Sequence, residues 1–216
     1  MVDVLFENED IIAVNKPEGL AAVPERRPES PPSLFEILCA ERSERLYIVH
    51  RLDKETSGVI VFARNAEAHR RLNMQFEKRL IRKVYLALVH GVMADDWGRI
   101  DKPLRQFGSG RVGINAQHGR ASITEFHVLE RFKTCTLVEL CPRTGRRHQI
   151  RVHLYSIGYP IAGDPLYGDR ETQRTYPRMM LHAYRLTVHL PPNEPMTLEA
   201  PIPGSFEAVL KIVDEN

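Results

Sequence analysis

The chain of 216 residues is 43% hydrophobic and 27% charged, which places it among globular proteins with enough apolar material for a buried core, read as one domain. No apolar run approaches the length that crosses a bilayer, and the acidic start MVDVLFENED lacks the basic residues of a secretory signal, so a cytoplasmic protein is expected. A net charge of +2 is too small to announce nucleic acid by its sum.

In chain order, two short alternating bursts, Val2 to Phe6 and Ile11 to Val14, predict a strand pair that ends at Asn15-Lys16-Pro17. Residues 23–33 hold four of the fifteen prolines and read as an exposed loop. Leu34 to Ala40 begins a helix. Tyr47 to His50 and Val59 to Ala63, β-branched and aromatic, predict strands on either side of a polar loop. Asn65 is placed to cap a helix through Lys78, with His69, Leu72, Phe76 and Leu80 as its apolar stripe. Val84 to Val89, Ala121 to Leu129 and Thr136 to Leu140 predict three more strands. Phe107 to Gly113, with three glycines, reads as a mobile loop. Arg146 to Ile157 fits a helix closed by Gly158. A strand at Leu186 to Leu190 and a helix from Ser205 complete the chain. With no regular strand-helix alternation, the class is α+β. Cys39, Cys135 and Cys141 form no CxxC pair and are expected to be reduced thiols without a function.

Charge is patterned even though its sum is small. From His69 to Lys83 there are six basic residues, Arg70, Arg71, Lys78, Arg79, Arg82 and Lys83, against Glu77. Residues 142–153 add Arg143, Arg146, Arg147 and Arg151 without an acid, and residues 104–120 add Arg105, Arg111 and Arg120, also without one. Such segments suit a surface that tracks a phosphate backbone, although one basic helix face alone is equally an ordinary solvated surface.

The loop Tyr47-Ile-Val-His-Arg-Leu-Asp-Lys-Glu-Thr-Ser-Gly58 is where chemistry is expected. In an extended chain Arg51 and Asp53 project together, and a cation beside Asp53 keeps it ionised as a usable nucleophile or base. Taken alone, an Arg-x-Asp in a loop is more often a surface ion pair on a turn.

His50-Arg51-Leu52-Asp53-x-x-Thr56-Ser57-Gly58 resembles the signature of the RNA pseudouridine synthases of the RluA family, catalytic domain without an S4 domain. The matches continue in order. They are Asn15-Lys16-Pro17-x-Gly19-Leu20, Lys83-x-Tyr85-x-Ala87-x-Val89-x-Gly91, and Thr144-Gly145-Arg146-x-His148-Gln149-Ile150-Arg151-x-His153. Gly158-x-Pro160-Ile161-x-Gly163-Asp164-x-x-Tyr167-Gly168 and Leu181-His182-Ala183 follow. The resemblance covers residues 10 to 190 or so.

It implies a bent, mostly antiparallel mixed sheet with a central cleft, and an isomerase that needs no metal and no redox cofactor. It also implies that RNA is the partner, ribosomal RNA first and transfer RNA second, with Asp53 as the catalytic carboxylate. The reaction breaks the bond from uracil N1 to ribose C1′ and rejoins the base through C5. By the same resemblance Arg51 holds the nucleotide out of its stack, Tyr85 lies against the base, and the Ile150-Arg151 position contacts the aspartate. A helical wheel puts Arg147 and Arg151 together on the border of the stripe formed by Ile150, Leu154 and Ile157. Arg147 departs from the Thr or Ser common at its place. His148 and His153 diverge by about 140° on a helix, which argues against a metal pair and for structural histidines. Lys16, Thr56 and Asp164 are read as scaffold.

Before Asn15 no room is expected for an N-terminal RNA-binding domain, and the absence of an exposed heptad or long apolar face points to a monomer. The competing readings are an RNA-binding assembly factor without turnover, against which the retained Asp53 speaks, and a nucleoside hydrolase, which would call for a second carboxylate.

Overall fold

The computed structural model describes residues 2–25, 29–108, 110–191 and 194–215. Its elements are β1 (Asp3–Glu7), β2 (Ile11–Lys16), α1 (Leu34–Arg42), β3 (Tyr47–Ile48), β4 (Ser57–Ala63), α2 (Ala66–Glu77), β5 (Arg82–His90) and β6 (Trp97–Asp101). There follow β7 (Leu104–Gln106), β8 (Val112–Ile114), β9 (Ile123–Arg131), β10 (Cys135–Pro142), α3 (Gln149–Ser156), α4 (Arg170–Gln173), β11 (Leu181–Leu190), β12 (Glu194–Glu199) and α5 (Gly204–Glu215). This is an α+β protein. The chain divides into two compact units, residues 1–83 with 183–201 and residues 84–182 with 202–216.

In the first unit β1, β2, β4 and β11 are successive neighbours, with β3 on β4 and β12 on β11. The pairs β1–β2, β2–β4, β3–β4 and β11–β12 are antiparallel. Strand β4 is buried along its whole length, and Val59, Val61 and Ala63 pack with Ile11, Ala13, Leu72, Leu186 and Val188 in one core. Each such aliphatic side chain contributes about 1.5–3 kcal/mol relative to exposure. Helix α1 starts at a capping box in which the Ser33 hydroxyl and the Glu36 carboxylate satisfy each other's backbone N–H groups. Asn65 caps α2 by accepting from Ala68 N (2.8 Å).

The second unit carries the antiparallel run β5–β10–β9–β6 and the separate hairpin β7–β8. Central β10 buries Thr136, Val138 and Leu140 on alternate positions. Gln149, at the start of α3, fastens that helix to β9, donating to Ile123 O (2.9 Å) and Thr124 Oγ1 (3.0 Å) while accepting from Thr144 Oγ1 (2.6 Å).

Several expected boundaries shift for identifiable reasons. The strand expected to reach His50 stops at Ile48, and His50 turns its ring to accept from Val61 N (3.1 Å). The stripe on α2 ends before Leu80, which is 54% exposed, because the helix stops at Glu77 and Arg79 takes a left-handed φ of 57°. The helix expected from Arg146 begins at Gln149, since His148 sits at φ 51°. Gly158, at φ 87°, closes that helix as expected. The segment read as a mobile loop, Phe107 to Gly113, is the tip of the β7–β8 hairpin, with Ser109 outside the described residues. The loop expected over 23–33 lies partly outside them too; Pro24, Glu25, Pro31 and Pro32 are exposed.

Candidate active site

Asp53 is half-buried in the loop between β3 and β4, flanked by exposed Arg51 and by buried Leu52. The loop is fixed from below by Lys16, whose side chain is fully buried. Its ammonium donates to the carbonyl oxygens of Pro17 (2.8 Å), Leu20 (2.7 Å) and Lys54 (3.0 Å). An ammonium has three donors and here meets three acceptors, so the cost of burying it is offset by charge-assisted bonds. Gly19 N also donates to Lys54 O (2.9 Å), and Thr56 N closes a turn onto Asp53 O (3.1 Å). The segment after β2 therefore grips the residue next to Asp53. Gly58 ends the loop at φ 115° against the Ala183 backbone, where a side chain would collide with the carbonyl.

His50 stacks on Phe76 with ring centroids 4.9 Å apart. Burial, reinforced by the Lys83 charge, pushes its pKa down to about 3, so the ring is neutral and its Nε2 is free to act as the acceptor for Val61. Burial also pushes the Lys83 ammonium down to about 8. Neither effect is visible in a sequence in which Lys83 counts only as one more surface cation.

In the second unit Arg151 is 1% exposed, at the centre of α3's contacts. This corrects the border position read from the helical wheel. Arg147 lies before the helix begins and is exposed, so the wheel does not apply to it. Arg151 donates from Nε to Asp164 Oδ2 and from Nη2 to Asp164 Oδ1, both at 2.7 Å, in a bidentate fork. Asp164 Oδ1 accepts in addition from Leu166 N (2.9 Å) and Tyr167 N (3.2 Å). The guanidinium lies 5.3 Å from the Tyr167 ring centroid. Ile150 is 7% exposed beside it. Tyr85 is half-buried on β5 and pairs in register with Leu140.

Both histidines of the α3 motif have structural bonds. His148 Nδ1 meets the Tyr167 hydroxyl (2.9 Å), and His153 meets Thr124 Oγ1 (2.9 Å) and Lys102 O (2.9 Å). The basic segments are thinner than their sequence count. Arg71 is committed to Asp10 and Glu67 (2.6 Å each) and Arg143 to Glu125 (2.7 Å). Arg70, Lys78, Arg79, Arg82, Arg146 and Arg147 are exposed.

The model of the RNA pseudouridylate synthase family matches residues 10–156. YlyB, an RNA pseudouridine synthase of Bacillus subtilis, is 37% identical over 229 residues, covering 100% of this chain and 74% of the relative. The dual-specificity RNA pseudouridine synthase RluA of Vibrio cholerae is 41% identical over 192 residues, covering 88% and 78%. Among solved structures, human RNA pseudouridylate synthase domain containing 1 superposes with a TM-score of 0.81 at 29% identity, over 96% of this chain and 87% of that one.

Proposed function

Because the chain belongs to the RNA pseudouridylate synthase family, an isomerase family acting on RNA, we propose that it converts a uridine of ribosomal RNA, or else of transfer RNA, with Asp53 as the essential carboxylate. The observation that carries the assignment is the grip of buried Lys16 on the carbonyl of Lys54, which immobilises the residue next to Asp53. A reacting group held this way loses little orientational freedom when substrate arrives. The family match runs through both compact units, which supports treating them as one catalytic domain. Among the described residues no helix is long and apolar enough to cross a membrane; a cytoplasmic monomer is part of the proposal.

In this reading Asp53 attacks C1′ of the ribose or C6 of the base, or removes a ribose proton; the N1–C1′ bond breaks, the C5–C1′ bond forms, C5 loses its proton, N1 takes one up, and the carboxylate is released or gives its proton back, so no atom is gained or lost. Arg151 pairs with the carboxylate, Ile150 supplies apolar wall, Tyr85 lies against the uracil, and exposed Arg51 fills the space that the extruded nucleotide vacates.

Pseudouridine mapping on total RNA from a strain lacking the protein tests this. One or a few sites should disappear, return with the wild-type chain, and stay absent with Asp53→Asn. Rescue by Asp53→Asn would overturn the role of the carboxylate, and no lost site would favour an assembly factor.

A further inference from the structure

A cavity of about 360 Å³ opens beneath the β7–β8 hairpin. Its floor is the small core of Leu104, Val112, Val152 and Tyr167. Its walls are three aromatic rings from three separate segments: Phe107 at the hairpin tip, Tyr155 on α3, and Tyr167 in the turn after Asp164. Tyr167 is anchored at its hydroxyl, which donates to Val112 O (3.2 Å), so the ring offers a fixed face. Tyr155 stands 6.1 Å from it and is 50% exposed, while Phe107 is 42% exposed. Exposed aromatic surface on a concave apolar site marks a place where something binds.

The rim tells what that something is. Residues 104–120 contain Arg105, Arg111 and Arg120, all exposed, and no acid. Arg105 lies over the Phe107 ring at 5.9 Å, and Arg111 over the Tyr167 ring at 5.9 Å while donating to Leu166 O (2.7 Å). An apolar peptide would match the walls and leave this charge unanswered. A flat ring carried on a polyanion matches both. The cavity offers few groups that could read a base edge, since the Ser156 hydroxyl already donates to His153 O (2.7 Å). Stacking without sequence preference is what remains.

We propose that this cavity receives an unpaired base of the RNA at a position other than the target uridine, stacked on Tyr155 and Phe107, with Arg105 and Arg111 at the adjoining phosphates. The idea rests on the reading of the chain as an RNA-modifying enzyme. It gives that enzyme a second grip on single-stranded RNA.

The test compares dissociation constants for an oligoadenylate of about twelve nucleotides, within the usual range of single-strand sites, and for the same chain with abasic riboses. Wild type should prefer the oligoadenylate. Tyr155→Ala should weaken it by about tenfold and change the abasic chain by less than about twofold, while Tyr155→Phe should bind as wild type does. Arg105→Ala should weaken both chains and lower the salt slope by about one. Equal affinity of wild type for the two chains, or an equal loss on both in Tyr155→Ala, overturns the proposal. So does a concentration-dependent dimer that Tyr155→Ala abolishes with RNA affinity unchanged, since the occupant is then a second copy of the chain. Pseudouridine formation on total RNA from the strain lacking the protein is followed with the same protein preparations: its absence with wild type would sink the enzymatic reading, whereas the base-dependent binding difference stands or falls without it.

Discussion

The two compact units each bury a cation next to a functional candidate, and they satisfy it in opposite ways. Lys16 is held by three neutral backbone carbonyls, whereas Arg151 is held by the charged fork of Asp164. A point-like ammonium gathers chain segments around itself and so fixes backbone positions. A planar guanidinium fixes the orientation of a side chain and needs a matching anion. The loop of Asp53 is thus positioned by main chain, and Arg151 by a partner that one substitution can remove.

The comparison breaks most visibly at the ion pair. Asp164→Ala leaves a buried guanidinium uncompensated and should destabilise the protein by about 3–5 kcal/mol in urea unfolding; a smaller loss than from Lys16→Met would reverse the contrast drawn here. Lys16→Met takes a donor from the carbonyls of Pro17 and Leu20 and leaves Lys54 O with Gly19 N alone; it should cost about 2–4 kcal/mol, with turnover falling further than substrate affinity because the Asp53 loop loosens. An equal fall in kcat and rise in KM would argue that Lys16 acts on binding.

Asn65→Ala removes the cap of α2 and the Asn65 bonds to Glu9 O and Asp10 Oδ1, and should cost about 1 kcal/mol with turnover intact. The last effect concerns pH. His50 is depressed to about 3 in the folded chain, against 6.5 as its ordinary value, so between those pH values the unfolded state binds the extra proton. Stability should therefore be complete above about pH 7 and decline as pH falls below 6.5, and His50→Gln should flatten that slope in urea titrations between about pH 4.5 and 7.5. An unchanged slope would show the acid response to come from elsewhere.

Much of the Asp53 loop was legible because its constraints are local. Gly58 needs a backbone that no side chain tolerates, and Lys16 with Gly19 needs a turn that brings carbonyls to one point; both leave their residue types in the sequence. The burial of Arg151 was not legible, because a helical wheel records neighbours along the helix and cannot show that Asp164, thirteen residues on, comes under it. Strands β6, β7, β8 and β12 were missed for a related reason. None keeps a sustained alternation: β6 and β8 are interrupted by Gly98 and Gly113, β7 has three residues, β12 carries Pro195, and β6 pairs with β9 beyond the β7–β8 hairpin. Leu80 misled because apolar spacing continues through Arg79, whose left-handed turn the spacing does not register.

The hydroxyl of Tyr167 has one hydrogen and spends it on Val112 O, while accepting from Val112 N (3.3 Å). His148 Nδ1 lies 2.9 Å from the same oxygen. A single oxygen thereby ties hairpin, helix entrance and aspartate turn into one knot, with the Arg151 guanidinium lying on the same ring. Tyr167→Phe would untie three segments by deleting one atom, and whatever settles in the neighbouring cavity pulls on the same knot.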